Sequence, residues 1–352
     1  MTDHETTTTD PATTDPATTA TGTSATDGVD RVIDRAPSVW TGRDDGPGVE
    51  HARWHHIVNP LPNYLGPASG GRAQVVREGL GAPVVLVGFA SDEGVRRNQG
   101  RQGAAEGPAA LRGALANCSD PGVGVADLGD VVVAGEDLED GQRRLGAAVG
   151  AVLDAGVLPV VLGGGHEVAY GSGSGWLRRG ETWGVLNLDA HLDLRGAERA
   201  TSGTPFRQLA EELAADGRPF HYAVIGLSRP SNTRTLLDVA ARLGVAILDD
   251  VDTDVTSAVT ATHALLDKVD RVHLTLDLDV LPASVAPGVS APAAFGVPLA
   301  VVLAVLRTVA ASGKLGLFEV AELNPRFDID TRTARTAARC VDEVVRHLTA
   351  DR

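Results

Sequence analysis

Short apolar runs alternate with longer amphipathic stretches from about residue 81 to about residue 350. Seven runs rich in β-branched residues predict buried strands: PVVLVGF (83–89), LPVVL (158–162), WGVLNLD (183–189), HYAVIGL (221–227), GVAILD (244–249), RVHLTLDLDV (271–280) and KLGLFEVAEL (314–323). Apolar residues at helical spacing predict helices at 107–117, 140–155, 234–243, 256–269, 297–312 and 331–349. Strands that are apolar on both faces and separated by helices indicate a three-layer α/β/α fold with a mostly parallel sheet.

The N-terminal part of the chain lacks this alternation. Residues 1–30 are dominated by Thr, Ala, Asp and Pro and offer almost nothing to bury, so we expect them to be disordered. Residues 31–80 contain Trp40, Trp54 and several prolines, which predicts an irregular lead-in packed against the main domain. We therefore expect a disordered tail followed by a single catalytic domain over 31–352.

Composition narrows the possible partners and compartment. The formal charge of −15 disfavours nucleic acid as a partner, because a net-acidic surface repels phosphates. No apolar run approaches the ~20 residues that cross a bilayer, and the N-terminus lacks the basic and apolar regions of a signal peptide. Cys118 and Cys340 are far apart and outside any C-x-x-C pair, which is typical of buried thiols in a reducing compartment. These features predict a cytoplasmic protein.

Ionisable residues follow the predicted strands at their carboxyl ends, where open parallel sheets collect ligands. His166 follows LPVVL in the motif GGGHE (163–167), whose glycines are expected to permit a tight turn with unusual φ. Asp189, His191 and Asp193 follow WGVLNLD. In an extended segment they would share one face, while the residues between them pack inward. Each group alone is compatible with a polar strand end, but unpaired charges there would cost several kcal/mol each.

Two further carboxylate groups end strands. Asp277 and Asp279 lie at i and i+2 at the end of RVHLTLDLDV, and two such close carboxylates repel unless a cation or proton lies between them. Glu319 and Glu322 are three apart, so a regular strand would put them on opposite faces. Glu322 is the better candidate for a cleft, and an ion pair beneath the surface would account for Glu319.

Together the side chains of His166, Asp189, His191, Asp193, Asp277 and Asp279 predict a site for two divalent metal ions. A metal pair ~4 Å apart activates water at neutral pH and clamps a polar substrate. The residues themselves leave the metal open, since carboxylate-rich ligation favours manganese while His/Asp sites also accept other divalent ions.

The motifs GGGHE, NLDAHLDLR (187–195), LTLDLDVLPASVAPGVSAP (274–292) and VAELNP (320–325) resemble those of the ureohydrolase family of arginases and agmatinases. The resemblance implies an arginase-like fold, two Mn²⁺ per chain and a homo-oligomer, a trimer or hexamer. It also implies that Asp189 and Asp277 bridge the ions, that His166 and Asp193 complete one shell and that His191 and Asp279 complete the other. Glu322 falls where the family binds an amidine or guanidine.

Within the family, the chain is most similar to the formimidoylglutamase branch. This similarity rests on four features: GGGHE, residues 88–112, WTGRDD (40–45) with RWHHIV (53–58), and Ser231-Asn232-Thr233. A further difference is Ser202-Gly203-Thr204, where agmatinase-like members have His-Gly-Thr. The resemblance implies hydrolysis of N-formimidoyl-L-glutamate to L-glutamate and formamide, a step of histidine degradation, through attack by a metal-bridging hydroxide.

This function assigns catalytic roles to two residues: Glu322 would pair with the amidinium, and Asp193 would relay the proton to the leaving amine. The substrate's carboxylates call for cationic or N–H donors, with Arg195 the first candidate. Further candidates are Asn98, Ser202, Ser231 and Asn232, together with Arg96, Arg97 and Arg101.

Three alternatives remain at this point. The chain could hydrolyse a guanidino acid, as an agmatinase- or guanidinobutyrase-like enzyme, although Ser202 speaks against it. It could be a metal-binding relative without activity, although all six ligand positions are filled. It could be a metal-dependent deacetylase, although those sites generally use one zinc and fewer carboxylates.

Overall fold

The computed structural model describes residues 1–2, 32–37, 39–61 and 82–348. Almost all of the tail predicted to be disordered, and part of the predicted lead-in, therefore lie outside the described residues. Residues Arg31–Arg352 form one compact unit.

Nine strands in the described residues form one sheet whose neighbouring strands are all parallel. The strands are β1 (Val58–Pro60), β2 (Val84–Ala90), β3 (Val125–Val132), β4 (Leu158–Leu162), β5 (Trp183–Leu188), β6 (His221–Leu227), β7 (Ala246–Asp249), β8 (Arg271–Asp277) and β9 (Leu315–Ala321). Their order across the sheet is β1-β3-β2-β4-β9-β8-β5-β6-β7.

The α-helices of the described residues are α1 (Trp54–Ile57), α2 (Glu93–Arg97), α3 (Gly107–Leu115), α4 (Leu138–Asp154), α5 (Val168–Ser174), α6 (Pro205–Ala215), α7 (Arg234–Leu243), α8 (Val255–Leu266), α9 (Leu299–Ala311) and α10 (Arg332–Arg346). None of them is long and apolar enough to cross a membrane.

Alternating side chains of the strands supply two separate hydrophobic cores. In β2, Val84 and Leu86 belong to one core, whereas Val85 and Val87 belong to the other. Helices α3, α8, α9 and α10 cover the first core, and helices α4, α5, α6 and α7 cover the second. The predicted three-layer α/β/α fold is therefore confirmed, because helices cover both faces of the sheet.

All seven predicted strands and all six predicted helices are present, but β1, β3, α1, α2, α5 and α6 were not predicted. Strand β3 was not predicted because Asp127 and Asp130 interrupt its apolar pattern. Both are buried against the equally buried Arg112, which lies 2.8 Å from Asp127 and also pairs with Asp130. Trp40 of the lead-in donates to Asp127 over 2.9 Å, which ties the lead-in to this edge of the sheet.

The strand order determines where the candidate chemistry meets. Strands β4, β9, β8 and β5 are consecutive neighbours in the sheet and run parallel. The four polar motifs that follow these strands therefore come together at one edge of the sheet.

Candidate metal centre and active site

The glycine-rich turn after β4 brings His166 into the site. None of its glycines, 163 to 165, has a positive φ, so the expectation of unusual φ was wrong. Space is the reason for glycine here: a Cβ on Gly163 would lie 2.6 Å from the carbonyl oxygen of Val320, and one on Gly164 would overlap that of Ser91. The turn passes between neighbouring backbones, which only glycine permits.

The segment after β5 carries Asp189, His191 and Asp193 in an irregular loop. Strand β5 ends at Leu188, and Asp193 adopts a left-handed φ of 45°. The predicted extended geometry was therefore wrong, although Ala190 and Leu192 between the three residues are buried, as predicted. A non-glycine residue with positive φ is strained, and such strain often accompanies functional sites.

Asp277 and Asp279 are likewise not on one regular strand. Strand β8 ends at Asp277, and Leu278–Val280 form a 3-10 turn. The Asp277 carboxylate accepts the backbone N–H of Asp279 over 2.9 Å. This turn brings the Asp279 side chain back to the site beside Asp277.

The six candidate ligands converge into two overlapping groups, within each of which one donor atom per residue lies within 4.8 Å of the others. The first group contains His166, Asp189, Asp193 and Asp277, and the second contains Asp189, His191 and Asp279. Asp189 belongs to both groups. The geometry therefore suits two adjacent cations that share a carboxylate.

Contacts around His166 fit a bound cation better than a hydrogen-bonded pair. Its Nδ1 lies 2.9 Å from Asp193, 3.0 Å from Asp277 and 3.2 Å from Asp189. Nevertheless, Nδ1 makes no hydrogen bond among the described residues, and neither does Oδ1 of Asp279. Buried polar atoms rarely stay without partners, so these atoms and the chemistry of the donors fit a divalent metal.

The electrostatics of the centre support the same fit. Burial and repulsion from Asp279 and Asp189 raise the pKa of Asp277 well above its usual value. Burial also raises the pKa of Asp193 and Asp279, and their carboxylate neighbours reinforce the shift. Asp189 is the exception, since the two histidines lower its pKa despite burial. Several carboxylates held this close need positive charge between them.

A second contact orients His166. Its Nε2 lies 3.0 Å from Oγ1 of Thr275, which is on the same face of β8 as Asp277. A proton on Nε2 donated to this hydroxyl leaves the Nδ1 lone pair free for a metal. Thr275 was not among the predicted site residues, although its position two residues before Asp277 could have indicated it.

Glu322 lies just past the end of β9 with a left-handed φ of 67°. One carboxylate oxygen accepts the backbone N–H of His166 over 2.9 Å, and the other has no partner among the described residues. Burial, followed by repulsion from Glu167, raises the pKa of Glu322 to about 8. Glu319 is instead buried 3.0 Å from His273, which confirms the predicted ion pair beneath the surface.

These residues open onto a cavity of about 320 Å³ at the carboxyl edge of the sheet. Its rim includes Asn98, Arg101, Arg195 and Ser202, and Asn98 donates to Ser202 over 3.0 Å. Arg195 is exposed and has no carboxylate partner among the described residues. Arg101 donates to the carbonyl of Ser290 over 3.0 Å and is also without an acidic partner there. The lining further contains Gln99, Gly100, Ser290 and Ala291, which were not predicted.

Ser231 and Asn232 do not line this cavity. Ser231 is exposed, and Asn232 is buried beneath the loop that carries the metal ligands. Asn232 accepts the N–H of Leu192 over 3.1 Å and donates to the carbonyl of Ala190 over 2.9 Å. Asn232 supports the loop, because its side chain makes its hydrogen bonds to backbone groups of that loop.

Arg96 and Arg97 also lie outside the cavity lining. Both pair with Glu93, over 2.6 and 2.8 Å, and Arg97 also pairs with Glu139 over 2.7 Å. Their charges are neutralised locally, so they are not free to bind a substrate carboxylate.

The sequence profile described as the arginase family matches residues 82–346 of this chain. The chain belongs to the arginase family. The resemblance seen in the four motifs is therefore confirmed, and so is the arginase-like fold.

Relatives with assigned names are similar over most of the chain. The formimidoylglutamase of Nocardia farcinica is 54% identical over 316 residues, which cover 88% of this chain and 96% of that protein. The formimidoylglutamase of Rhodococcus jostii is 51% identical over 320 residues, covering 88% and 95%.

Solved structures agree with this assignment to the family. A Trypanosoma cruzi formiminoglutamase with Mn²⁺ superposes with a TM-score of 0.70 at 29% identity, covering 76% of this chain and 93% of that one. An arginase from Bacillus subtilis superposes with a TM-score of 0.65 at 27% identity, covering 74% and 98%.

For this arginase-family chain, we expect the metal-free protein to lose stability as pH rises. The Glu322 carboxyl has a pKa raised from 4.5 to about 8, so the folded state keeps a proton that the unfolded state releases between those values. The free energy of unfolding should therefore fall across that window. Thermal unfolding of chelator-treated protein at pH 5, 6.5 and 8 measures this. Glu322→Gln should make the dependence less steep without abolishing it, because the raised pKa values of Asp193, Asp277 and Asp279 act in the same direction. A melting temperature that rises with pH would contradict it.

Asn232→Ala should weaken the metal centre from outside it. The change leaves the buried N–H of Leu192 without its partner and removes one of the two donors to the carbonyl of Ala190, which should lower the free energy of unfolding by about 1–3 kcal/mol. Metal affinity should fall about 10- to 100-fold, because the ligand loop loses its support. Denaturant unfolding and Mn²⁺ titration measure the two effects. The exposed neighbour Ser231→Ala is the control, and equal effects of both changes would refute the assignment.

Proposed function

We propose that this chain hydrolyses N-formimidoyl-L-glutamate to L-glutamate and formamide. The proposed substrate rests on the 54% identity to a formimidoylglutamase over 88% of the chain. The converging ligand groups and the buried, half-satisfied Glu322 support metal-dependent hydrolysis of an amidine in the same cavity.

The centre would hold two Mn²⁺ ions. Asp189 would be shared between them, with His166 and Asp193 completing one shell and His191 and Asp279 the other. Asp277 would be the second shared ligand, although only the first group includes it within 4.8 Å. The carboxylate-rich donors suit Mn²⁺, and the Trypanosoma cruzi structure contains that ion. Bound ions supply a water of lowered pKa as the nucleophile, and positive charge beside the carbon that it attacks.

Glu322 would bind the formimidoyl group. Its free carboxylate oxygen can accept an N–H of the amidinium, while the His166 N–H holds the other oxygen in place. Pairing with a carboxylate keeps the amidine protonated, and the protonated form is the more electrophilic one. The Glu322 carboxylate would thus select amidines and activate the carbon that is attacked.

Asp193 would carry the proton. Its carboxylate would accept the proton that the attacking water loses, and would then donate it to the glutamate nitrogen as the C–N bond breaks.

The cavity rim would recognise the two carboxylates of the substrate. Arg195 and Arg101 both line the cavity without an acidic partner in the part of the chain that the structure describes. Guanidinium groups bind carboxylates through paired N–H donors. Asn98 and Ser202, which are bonded to each other, would add neutral polar contacts.

A substrate panel with manganese-reconstituted protein tests the proposal. It compares N-formimidoyl-L-glutamate, arginine, agmatine and guanidinobutyrate, with formamide and urea as readouts. We expect formamide from the first compound and no urea from the others. Urea from a guanidino compound would overturn the substrate while keeping the hydrolytic centre, and absence of every product with two metals bound would overturn the activity.

We expect Arg195→Ala to impair substrate binding more than chemistry. Loss of a carboxylate contact at an exposed rim should raise KM about tenfold, since a hydrogen bond to a charged group contributes about 1.5–3 kcal/mol. The inhibition constant of L-glutamate should rise in parallel, because the product keeps both carboxylates. Arg199→Ala, an exposed arginine paired with Glu139, is the control. An unchanged KM and inhibition constant would remove Arg195 from the binding site.

A further inference from the structure

Glu167, the last residue of the GGGHE motif, is a buried carboxylate that the proposed reaction does not use. Glu167 directly follows the candidate ligand His166, and it is fully buried, with 0% of its surface exposed. Glu167 Oε2 has no hydrogen-bond partner among the described residues. A buried carboxylate with one idle oxygen costs several kcal/mol, whereas an apolar side chain would pack without that cost. This cost indicates that the Glu167 carboxylate has a role in positioning other residues.

Oε1 of Glu167 bonds to the start of a different segment. It accepts the hydroxyl of Ser91 over 2.8 Å and the backbone N–H of Gly94 over 3.0 Å. The Gly94 N–H lies in the first turn of α2, where no carbonyl of the helix can reach it. A Cβ on Gly94 would lie 2.5 Å from the Glu167 carboxyl carbon, so the approach of the two segments requires glycine.

The segment held in this way forms part of the cavity rim. We call residues 91–103 the rim segment, since it contributes Asn98, Gln99, Gly100 and Arg101 to the cavity lining. Asn98 is connected to the anchored turn directly, because its N–H bonds to the Gly94 carbonyl over 2.9 Å. Displacement of Gly94 would therefore move Asn98 relative to the metal centre.

The backbone of Glu167 and the turn that carries it are also held by hydrogen bonds. Its backbone carbonyl accepts Nε2 of the buried Gln142 over 2.8 Å, and the turn is paired to the rim segment by the Gly165 N–H and the Ser91 carbonyl, 3.0 Å apart. The carboxylate thus joins two elements of the site, one carrying a metal ligand and the other carrying substrate contacts.

We propose that Glu167 is a positioning residue that sets the distance between the substrate-binding rim segment and the metal-binding turn. The part of this inference that concerns substrate binding rests on the proposed function. Amidine hydrolysis needs the carboxylates of the substrate to be held while its formimidoyl carbon lies at the metal centre. A fixed spacing between the two elements therefore selects substrates with one distance between their carboxylates and the formimidoyl carbon.

Glu167→Ala and Glu167→Gln in the manganese-loaded protein test this role. The alanine variant loses the acceptor and should raise KM for N-formimidoyl-L-glutamate about tenfold, while kcat changes less than threefold. Its manganese content should stay that of the wild type. Glutamine keeps an oxygen acceptor for Ser91 and Gly94, so its KM should be close to that of the wild type.

Trypsin supplies a readout that needs no activity, because the rim segment contains Arg96, Arg97 and Arg101. Cleavage there should be faster in Glu167→Ala than in wild type or Glu167→Gln. Ser91→Ala, which removes one of the two donors, should give smaller shifts in the same direction, and serves if the alanine variant does not fold.

Two results would decide against the role. An alanine variant with unchanged KM and cleavage would make Glu167 a packing residue only. Loss of manganese with an intact rim segment would assign Glu167 to support of the metal turn instead. If the wild type does not hydrolyse the formimidoyl substrate, the proposed function fails, while the cleavage rates still determine whether Glu167 anchors the rim segment.

Discussion

Replacement of Asp277 by asparagine is expected to lower kcat/KM ~10³-fold, since charge stabilisation by a metal centre is worth several kcal/mol. Asp277 is buried at the centre of the site, 3.0 Å from Nδ1 of His166. Asparagine keeps the size of the side chain but removes the charge that would hold a cation. Metal analysis after dialysis and steady-state kinetics should show loss of manganese together with loss of activity.

The stability of the same variant separates loss of metal from misfolding. The pKa of Asp277 is raised by burial and by neighbouring carboxylates, so its charge is unfavourable when no cation is present. The metal-free variant should therefore melt no lower than metal-free wild type. Asp267→Asn is the control, because Asp267 is exposed and precedes β8, whereas Asp277 lies at the far end of that strand. Full manganese content and activity in Asp277→Asn would refute its role as a ligand.

Glu322→Gln should lower kcat/KM about 10²- to 10³-fold, because loss of one partner of a buried charge pair costs about 2–5 kcal/mol. Glutamine can still accept the His166 N–H, but it cannot neutralise the amidinium of the substrate. Manganese content should remain at the wild-type value, which distinguishes this variant from Asp277→Asn. Steady-state kinetics and metal analysis on the same preparation measure both quantities.

Product inhibition gives Glu322→Gln an internal control. L-Glutamate lacks the formimidoyl group, so its inhibition constant should not change in this variant. Arg195→Ala should show the opposite pattern, with weaker inhibition by L-glutamate. Glu211→Gln, an exposed glutamate paired with Arg207, should leave every parameter unchanged. Weaker binding of L-glutamate to Glu322→Gln would mean that Glu322 does not contact the formimidoyl group.

The sheet could be predicted wherever the chain obeyed a local burial pattern. Seven strands follow apolar runs in the sequence, and all of them except the part-exposed edge strand β7 are buried between helices. Strand β3 departs from that pattern with Asp127 and Asp130. Their burial depends on Arg112, and nothing local in the sequence indicates that this arginine is buried with them.

The candidate ligands could be predicted by residue type and by position after strands, but their geometry could not. Asp193 and Glu322 reach the site through left-handed backbone, and Asp279 through a 3-10 turn. Each conformation is unfavourable or uncommon in isolation and persists only because surrounding contacts impose it. Strand alternation therefore named residues whose side chains do converge, although the backbone geometry that it predicted was partly wrong.

The sequence by itself determined the layered fold, the family and the set of ionisable groups, because periodicity and motif order are properties of neighbouring residues. Tertiary structure alone decided which polar residues face the cavity. Arg101 lines it while Arg96 and Arg97 are neutralised elsewhere, and Asn232 supports a loop instead of meeting substrate. The physical reason is that the partners of a polar side chain determine its role, and some of them are distant in sequence: Glu139 is 42 residues from Arg97, and Leu192 is 40 residues from Asn232.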